Sequence, residues 1–205
     1  HTADALLRRI NALHKPGETV RLMEVCGTHT VSIFREGLRQ LLPSGIELVS
    51  GPGCPVCVTD QTYMDKALAY AEREDVIIAT FGDMLKVPGS YSSLNEAQTK
   101  GAHIHVIYTP LEVIELSKKY SEKKIVFLAI GFETTIAIIC ATVKAVHAAG
   151  LKNVFFLVSH KLVPPALRAL LDKQEGHIDG FILPGHVSVI IGEEPYRFLP
   201  KEYGI

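Results

Sequence analysis

Val76-Ile77-Ile78-Ala79-Thr80 is a run of five residues with no polar alternation, and it restricts the fold more than any other stretch. A strand with one wet face alternates apolar and polar residues. A strand that is apolar throughout is buried on both faces, as in parallel sheets covered by helices. The rest of the chain keeps the cadence such a sheet needs. Short strands are predicted at residues 21–26, 46–50, 103–108, 125–130, 154–158 and 178–183, alternating with helical stretches. Leu6, Leu7, Ile10 and Leu13 stripe a first helix that ends near Lys15-Pro16-Gly17. Val31, Phe34, Leu38 and Leu41 mark the buried face of a second, and residues 62–74 form a third. Ser93 with Glu96, and Thr109-Pro110-Leu111-Glu112, are helix starts with capping-box carboxylates. A helix over 136–149 is closed by Gly150, and another begins behind Pro164-Pro165. The fold class expected is α/β: two Rossmann-like units with mostly parallel sheets, helices on both faces and a cleft between them. The polar run 117–124 predicts the division, with a first unit over 1–120 and a second over 121–205.

Each unusual turn follows a strand. They are Cys26-Gly27-Thr28-His29-Thr30, Gly51-Pro52-Gly53-Cys54-Pro55-Val56-Cys57, residues 81–89, Gly131-Phe132-Glu133-Thr134-Thr135, Ser159-His160-Lys161 and Pro184-Gly185-His186-Val187-Ser188. In a parallel sheet such turns lie at the carboxyl ends of the strands, the edge where open α/β folds bind ligands. The stiffest is 51–57, where glycines and prolines bracket two thiols and set the orientation of Cys54 and Cys57.

The chemistry of these turns is mainly thiol chemistry. Cys26 stands at a helix start, where free amides favour a thiolate, and His29 is three residues on as base, hydrogen-bond partner or ligand. The plainer reading makes Cys26 a small buried hydrophobe and His29 a polar cap residue. Cys54 and Cys57 have the spacing of a redox dithiol or of half a metal site. With Cys26 and His29 they could hold a structural zinc, and alone they suit a thioredoxin-like oxidoreductase. Asp83 and Glu133 are carboxylates at strand ends, able to orient His29 or a lysine or to relay protons. Equally, Asp83 bonds its own turn and Glu133 balances a helix N-terminus. Thr134 and Thr135 are caps or ligand-contacting hydroxyls, and His160 and His186 are cleft residues or hydrogen-bonded structural histidines. Lys161 reads as a surface charge and Cys140 as core, while His103, His105, His147 and His177 have no motif context.

A net charge of -1 over 205 residues offers no basic field, so neither nucleic acid nor an anionic membrane is the expected partner. No apolar run reaches the roughly 18–20 residues of a membrane span, and no signal-peptide core opens the sequence. Four cysteines are too few for a secreted disulfide framework, and a cytoplasmic location is expected. A Walker loop and a complete Gly-x-Gly-x-x-Gly are both missing, so nucleotide binding has no direct support.

Taken together the turns resemble the HypD family of nickel–iron hydrogenase maturation proteins. The matching residues are Cys26 to Thr30, Gly51 to Val58, Phe81-Gly82-Asp83 with Val87-Pro88-Gly89, Gly131 to Thr135, and Pro184 to Ser188 with Gly192, in the family's order. The resemblance implies a scaffold on which iron receives cyanide and carbon monoxide ligands. It works with a small HypC-type chaperone, whose N-terminal cysteine shares the iron, and with a HypE-type cyanide donor. Carried over, Cys26 is the iron-ligating thiolate and His29 its neighbour, and Cys54 and Cys57 are the redox dithiol. Asp83, Glu133, Thr134 and His186 line the cleft. Soft thiolates suit low-spin iron, and a dithiol can return electrons to it. The sequence departs from the family in having Val31 for a second His, Asp60 for a Pro after Cys57, and an apolar stretch after Thr135 without a Pro. Family members also continue into a region with four cysteines for a 4Fe-4S cluster, and those ligands are absent from this sequence. The chain is therefore expected to be a shortened form, with its second unit short of a strand.

Overall fold

The computed structural model describes residues 2–173 and 176–205. Its elements are helix α1 (Thr2–Leu13), strand β1 (Val20–Glu24), α2 (Gly27–Arg35), α3 (Leu38–Leu41), β2 (Ile46–Ser50), α4 (Gln61–Ala71) and β3 (Val76–Thr80). There follow α5 (Leu94–Thr99), β4 (Ile104–Val106), α6 (Glu112–Lys119), β5 (Lys124–Gly131), α7 (Glu133–Ala148), β6 (Val154–His160), α8 (Val163–Asp172), β7 (Gly180–Ile182) and α9 (Gly185–Ile191). All named strands pair in parallel, in two sheets flanked by helices. The α/β class read from the sequence is the class observed.

The division falls elsewhere than residue 120. One unit is the chain up to Cys57 together with Leu162–Ile205, and the other is Val58–Lys161. Sheet pairing decides this. β5 joins β3 directly, Val76 opposite Lys124, so residues on both sides of 120 share one sheet in the order β4-β3-β5-β6. β7 returns to pair with β1, Met23 opposite Phe181, completing a three-stranded sheet in the order β2-β1-β7. The polar run that suggests a linker is in fact pinned down. The Asn153 amide donates to the carbonyls of Ser117, Tyr120 and Lys123, and Lys124 pairs with Asp75 at 2.9 Å.

In the unit of Val58–Lys161, β3 and nearly all of β5 are buried, as an apolar strand with neighbours on both sides requires. Phe127 is the centre of its core, meeting Phe81 and Phe156 edge-on at 5.6 and 6.0 Å. Helix punctuation behaves as read. Ser93 Oγ accepts the Glu96 N–H, and Glu112 Oε1 accepts the N–H groups of Tyr108 and Thr109. Asp60 caps α4 by accepting the Thr62 N–H at 2.8 Å. Without a proline after Thr135, α7 runs unbroken to Ala148.

The other unit is thinner. The expected buried stripe of Val31, Phe34, Leu38 and Leu41 does not form: Val31 and Phe34 are 63% and 84% exposed, and α2 buries only Ile33. Gly37, at φ 64°, breaks the run between α2 and α3, so the two helices do not share one periodicity. α1 buries no residue fully, with Leu7 and Ile10 half-buried and Leu6 and Leu13 exposed. Cys140 is a correction as well: it is exposed on α7, because the helix turns Ile139 and Thr142 inward.

Candidate functional site

Cys26 follows β1 and is the N-cap residue of α2, with its thiol making no cap hydrogen bond. Its carbonyl does the capping, accepting the N–H groups of His29 at 3.0 Å and Thr30 at 3.2 Å. The sulfur is thus uncommitted, at a helix start, and the residue is 94% covered (6% exposed).

The 51–57 turn lies directly against it. A Cβ on Gly53 would sit 2.5 Å from the Gly27 nitrogen and 2.7 Å from Cα and C of Cys26. A Cβ on Gly51 would strike the Met23 side chain, and the Gly51 N–H donates to the Glu24 carbonyl at 2.8 Å. The glycines are there for approach, since neither has a positive φ. All four cysteines are free thiols. Cys54 is half-buried and Cys57 exposed, and the Cys57 N–H donates to Cys54 Sγ at 3.4 Å. The Cys57 thiol is pushed up from its ordinary pKa, first by its side-chain hydrogen bond to Cys54, then by burial and the Cys54 charge. A raised thiol pKa means less thiolate at any given pH. Cys54 is therefore expected to alkylate before Cys57 near neutral pH although Cys57 is the more exposed, with Cys57 catching up only as pH rises. Peptide mapping after brief iodoacetamide treatment reads this directly, and faster labelling of Cys57 at pH 7 would contradict it.

β7 ends beside β1, with the Val25 N–H donating to the Ile182 carbonyl at 3.0 Å. That brings the Pro184–Ser188 turn to the same sheet edge as Cys26, with His186 exposed on α9. The sequence reading put His186 in the other unit. Cys26, His29, Cys54, Cys57 and His186 thus belong to one sheet.

Asp83, Glu133, Thr134 and His160 belong to the carboxyl edge of the other. Asp83 is exposed in a tight turn, Gly82–Lys86, after β3. Glu133 is buried at the first position of α7, and Thr134 beside it is exposed. Gly131 is required here because a Cβ would run into the Thr135 side chain, whose hydroxyl donates back to the Phe132 carbonyl at 3.0 Å. His160 stands opposite Gly131 in the β5–β6 register, with Nε2 buried and unpartnered, and burial holds its pKa below the usual histidine value. The Val87-Pro88-Gly89-Ser90 part of the loop that carries Asp83 is structural: Ser90 gives both its N–H and its hydroxyl to Asp65 of α4, each at 2.7 Å.

Among the described residues, no group of three or more His, Cys, Asp or Glu side chains is arranged to hold a metal ion. The Cys26–His29–Cys54–Cys57 set is therefore not assembled as a structural zinc site.

The HypD family model, described as the Hydrogenase formation hypA family, matches residues 1–205. The chain belongs to the HypD family. It is 45% identical over 185 residues to a hydrogenase maturation factor HypD of Rhodobacter capsulatus, covering 90% of this chain and 49% of that protein. Against the HypD of Escherichia coli (strain K12) the identity is 40% over 184 residues, with the same coverage of 90% and 49%. A putative hydrogenase expression/formation protein of Methanocaldococcus jannaschii is 42% identical over 196 residues, 95% of this chain and 54% of that one. The chain thus spans about half the length of these HypD relatives. No helix among the described residues is long and apolar enough to cross a membrane.

Sequence reasoning missed Glu24. It ends β1, two residues before Cys26, and is fully buried. Its Oε1 accepts from the Ser50 hydroxyl at 2.8 Å and from Arg39 at 3.1 Å. The available signal was a carboxylate placed inside an apolar strand, Met23-Glu24-Val25.

Proposed function

We propose that this chain is the thiol-bearing part of a hydrogenase maturation scaffold. It holds iron as cargo at the Cys26 thiolate while cyanide and carbon monoxide ligands are installed. Cys54 and Cys57 act beside it as a redox dithiol, with Cys54 as the attacking sulfur. The observation that carries this reading is the seating of Gly53 on the Cys26–Gly27 peptide, which keeps the dithiol turn against the residue that would hold iron. Family membership supports it, as do the printed names of the relatives, which concern hydrogenase maturation, expression or formation. The donor set also fits. A single thiolate leaves the remaining iron positions to the diatomic ligands and to a partner's thiolate, as a carrier that must release its cargo needs. The partners are a small HypC-type chaperone and a HypE-type cyanide donor, and the setting is the cytoplasm. Asp83 and Glu133 serve as proton-relay candidates, and Thr134, His160 and His186 as ligand contacts.

The test is anaerobic co-purification with the small partner, followed by iron analysis and infrared spectroscopy. Iron with bands from diatomic ligands is expected in the wild type, and both should be lost in Cys26→Ala. Iron retained at full stoichiometry in Cys26→Ala would sink the assignment. A second reading, thiol–disulfide oxidoreductase, draws on the hydrogen-bonded Cys54–Cys57 pair. Insulin reduction that needs only those two cysteines would favour it.

A further inference from the structure

Glu24 is fully buried in a stretch that is otherwise apolar from Leu22 to Val25. A buried carboxylate seldom stabilises a fold more than an apolar side chain of similar volume, because its desolvation offsets its pairing. Here the pairing is also incomplete: Oε1 accepts from the Ser50 hydroxyl and from Arg39, while Oε2 is buried with no hydrogen-bond partner. What the carboxylate adds, and a leucine cannot, is a bond with a fixed direction.

That bond goes to β2. β2 lies at the edge of its sheet, and none of its five residues is buried. A strand without a buried face has little in its own packing to hold it in register. Two polar side-chain contacts cross from it to β1. Arg21 meets Glu47 at 2.8 Å, but both are well exposed, and such a pair contributes little. Glu24 meets Ser50, its register partner, at 2.8 Å. Arg39 of α3, between the two strands in the chain, reaches the Glu24 carboxylate at 3.1 Å and the Ser50 hydroxyl at 3.4 Å. Just beyond, the Gly51 N–H donates to the Glu24 carbonyl at 2.8 Å.

We infer that Glu24 is the positioning residue for the dithiol. Its side chain locks β2 in register on β1, and so sets where the turn bearing Cys54 and Cys57 emerges relative to Cys26. This rests on the proposed joint action of the three thiols. Cys26 follows Glu24 by two residues and Cys54 follows Ser50 by four, so the locked pair stands immediately ahead of the sulfurs on both strands. Each residue of slip would carry the turn about 3.3 Å along β1. Gly53 would then leave the Cys26–Gly27 peptide on which it is seated.

Dibromobimane, which joins two neighbouring thiols by losing a bromide to each, tests this in the reduced, metal-free chain carrying Cys57→Ser and Cys140→Ser. Cys26 and Cys54 are expected to cross-link in that background. They should do so equally in Glu24→Gln, whose amide oxygen still accepts from Ser50 and Arg39, and in Glu47→Ala, which removes only the exposed pair. In Glu24→Leu cross-linking should fall at least about 10-fold, although thermal unfolding finds the chain no less stable. Ser50→Ala removes the donor at an exposed position and gives the same reading, a clear loss, should Glu24→Leu not fold. A background that does not cross-link overturns the inference, as does background-rate cross-linking in folded Glu24→Leu or in Ser50→Ala. So does a loss that merely follows the unfolded fraction, or one that Glu24→Gln shares. If cross-linking follows the expected order but the wild type takes up no iron, the maturation reading fails while the register lock stands.

Discussion

If the chain carries iron as proposed, Gly53→Ala is expected to cut iron-centre assembly by about 10²-fold while leaving the thiols of Cys26, Cys54 and Cys57 in place. The added methyl would lie 2.5–2.7 Å from Gly27 N and from Cα and C of Cys26. Those are backbone atoms at the start of a helix, so no side chain can swing aside to admit it. Either the 51–57 turn or the Cys26 turn has to move, by roughly 1 Å to restore ordinary contact. Misplacement of that size is enough to cost on the order of 10²-fold in a reaction that depends on positioning. Forced overpacking also costs about 1–3 kcal/mol of stability. The two consequences separate experimentally. Thermal unfolding gives the stability loss, and the infrared intensity of diatomic-ligated iron per folded chain gives the positional one. Each isolated function should survive: Cys26 should still alkylate, and Cys54 and Cys57 should still form a disulfide on oxidation. Full iron-centre formation in folded Gly53→Ala would show that the close approach of the two turns is not what the chemistry uses.

The strand–turn–helix cadence was legible because it is local. Apolar runs, caps and turn residues each report on their own few residues, and Ser93, Glu112, Gly150 and the 76–80 strand stand where the sequence put them. The division into units was not legible, because it depends on which strands pair. Nothing near Gly180 says that β7 will lie beside Val20–Glu24, some 160 residues back, and nothing near residue 120 says that β5 will lie beside β3. The polarity of 117–124 reflects exposed lysines on a turn whose carbonyls are held by Asn153, a residue some 30 positions on.

The thiol site followed the same rule. Spacing exposed Cys54 and Cys57 as a pair, and the order of strands and turns set them at one edge with Cys26 and His29, but only the pairing of β7 with β1 brought His186 to that sheet. Glu24 escaped notice because a glutamate in a strand ordinarily marks a wet face. Its burial is visible only with Arg39 and Ser50 in place around it. The α2 stripe failed for the opposite reason. Val31 and Phe34 are apolar at helical spacing, but a helix nine residues long that breaks at Gly37 buries one narrow face, and Ile33 occupies it.

Phe127→Ala should be the most destabilising single change in the Val58–Lys161 unit, lowering its unfolding free energy by about 3–5 kcal/mol. The ring is fully buried on the central strand β5, and deletion leaves a void between layers that close packing on both sides prevents from collapsing. Against a typical domain stability of about 5–15 kcal/mol, that is a large share. Phe127→Leu separates the two contributions. It keeps most of the apolar burial but loses the edge-on contacts to Phe81 and Phe156, each worth about 0.5–1.5 kcal/mol beyond area. Urea titration should therefore rank wild type, Leu and Ala in that order, with the midpoint falling and the slope unchanged. Phe81 connects this packing to the site, because it is the residue from which the Gly82–Lys86 turn and Asp83 depart. Hydrogen exchange in Phe127→Ala should accordingly quicken at the Met84 amide, which donates to the Phe81 carbonyl at 3.2 Å. A loss below about 1 kcal/mol would mean that β3 and β5 hold together without the aromatic cluster, leaving the Asp83 turn anchored by Met84 and its neighbours alone.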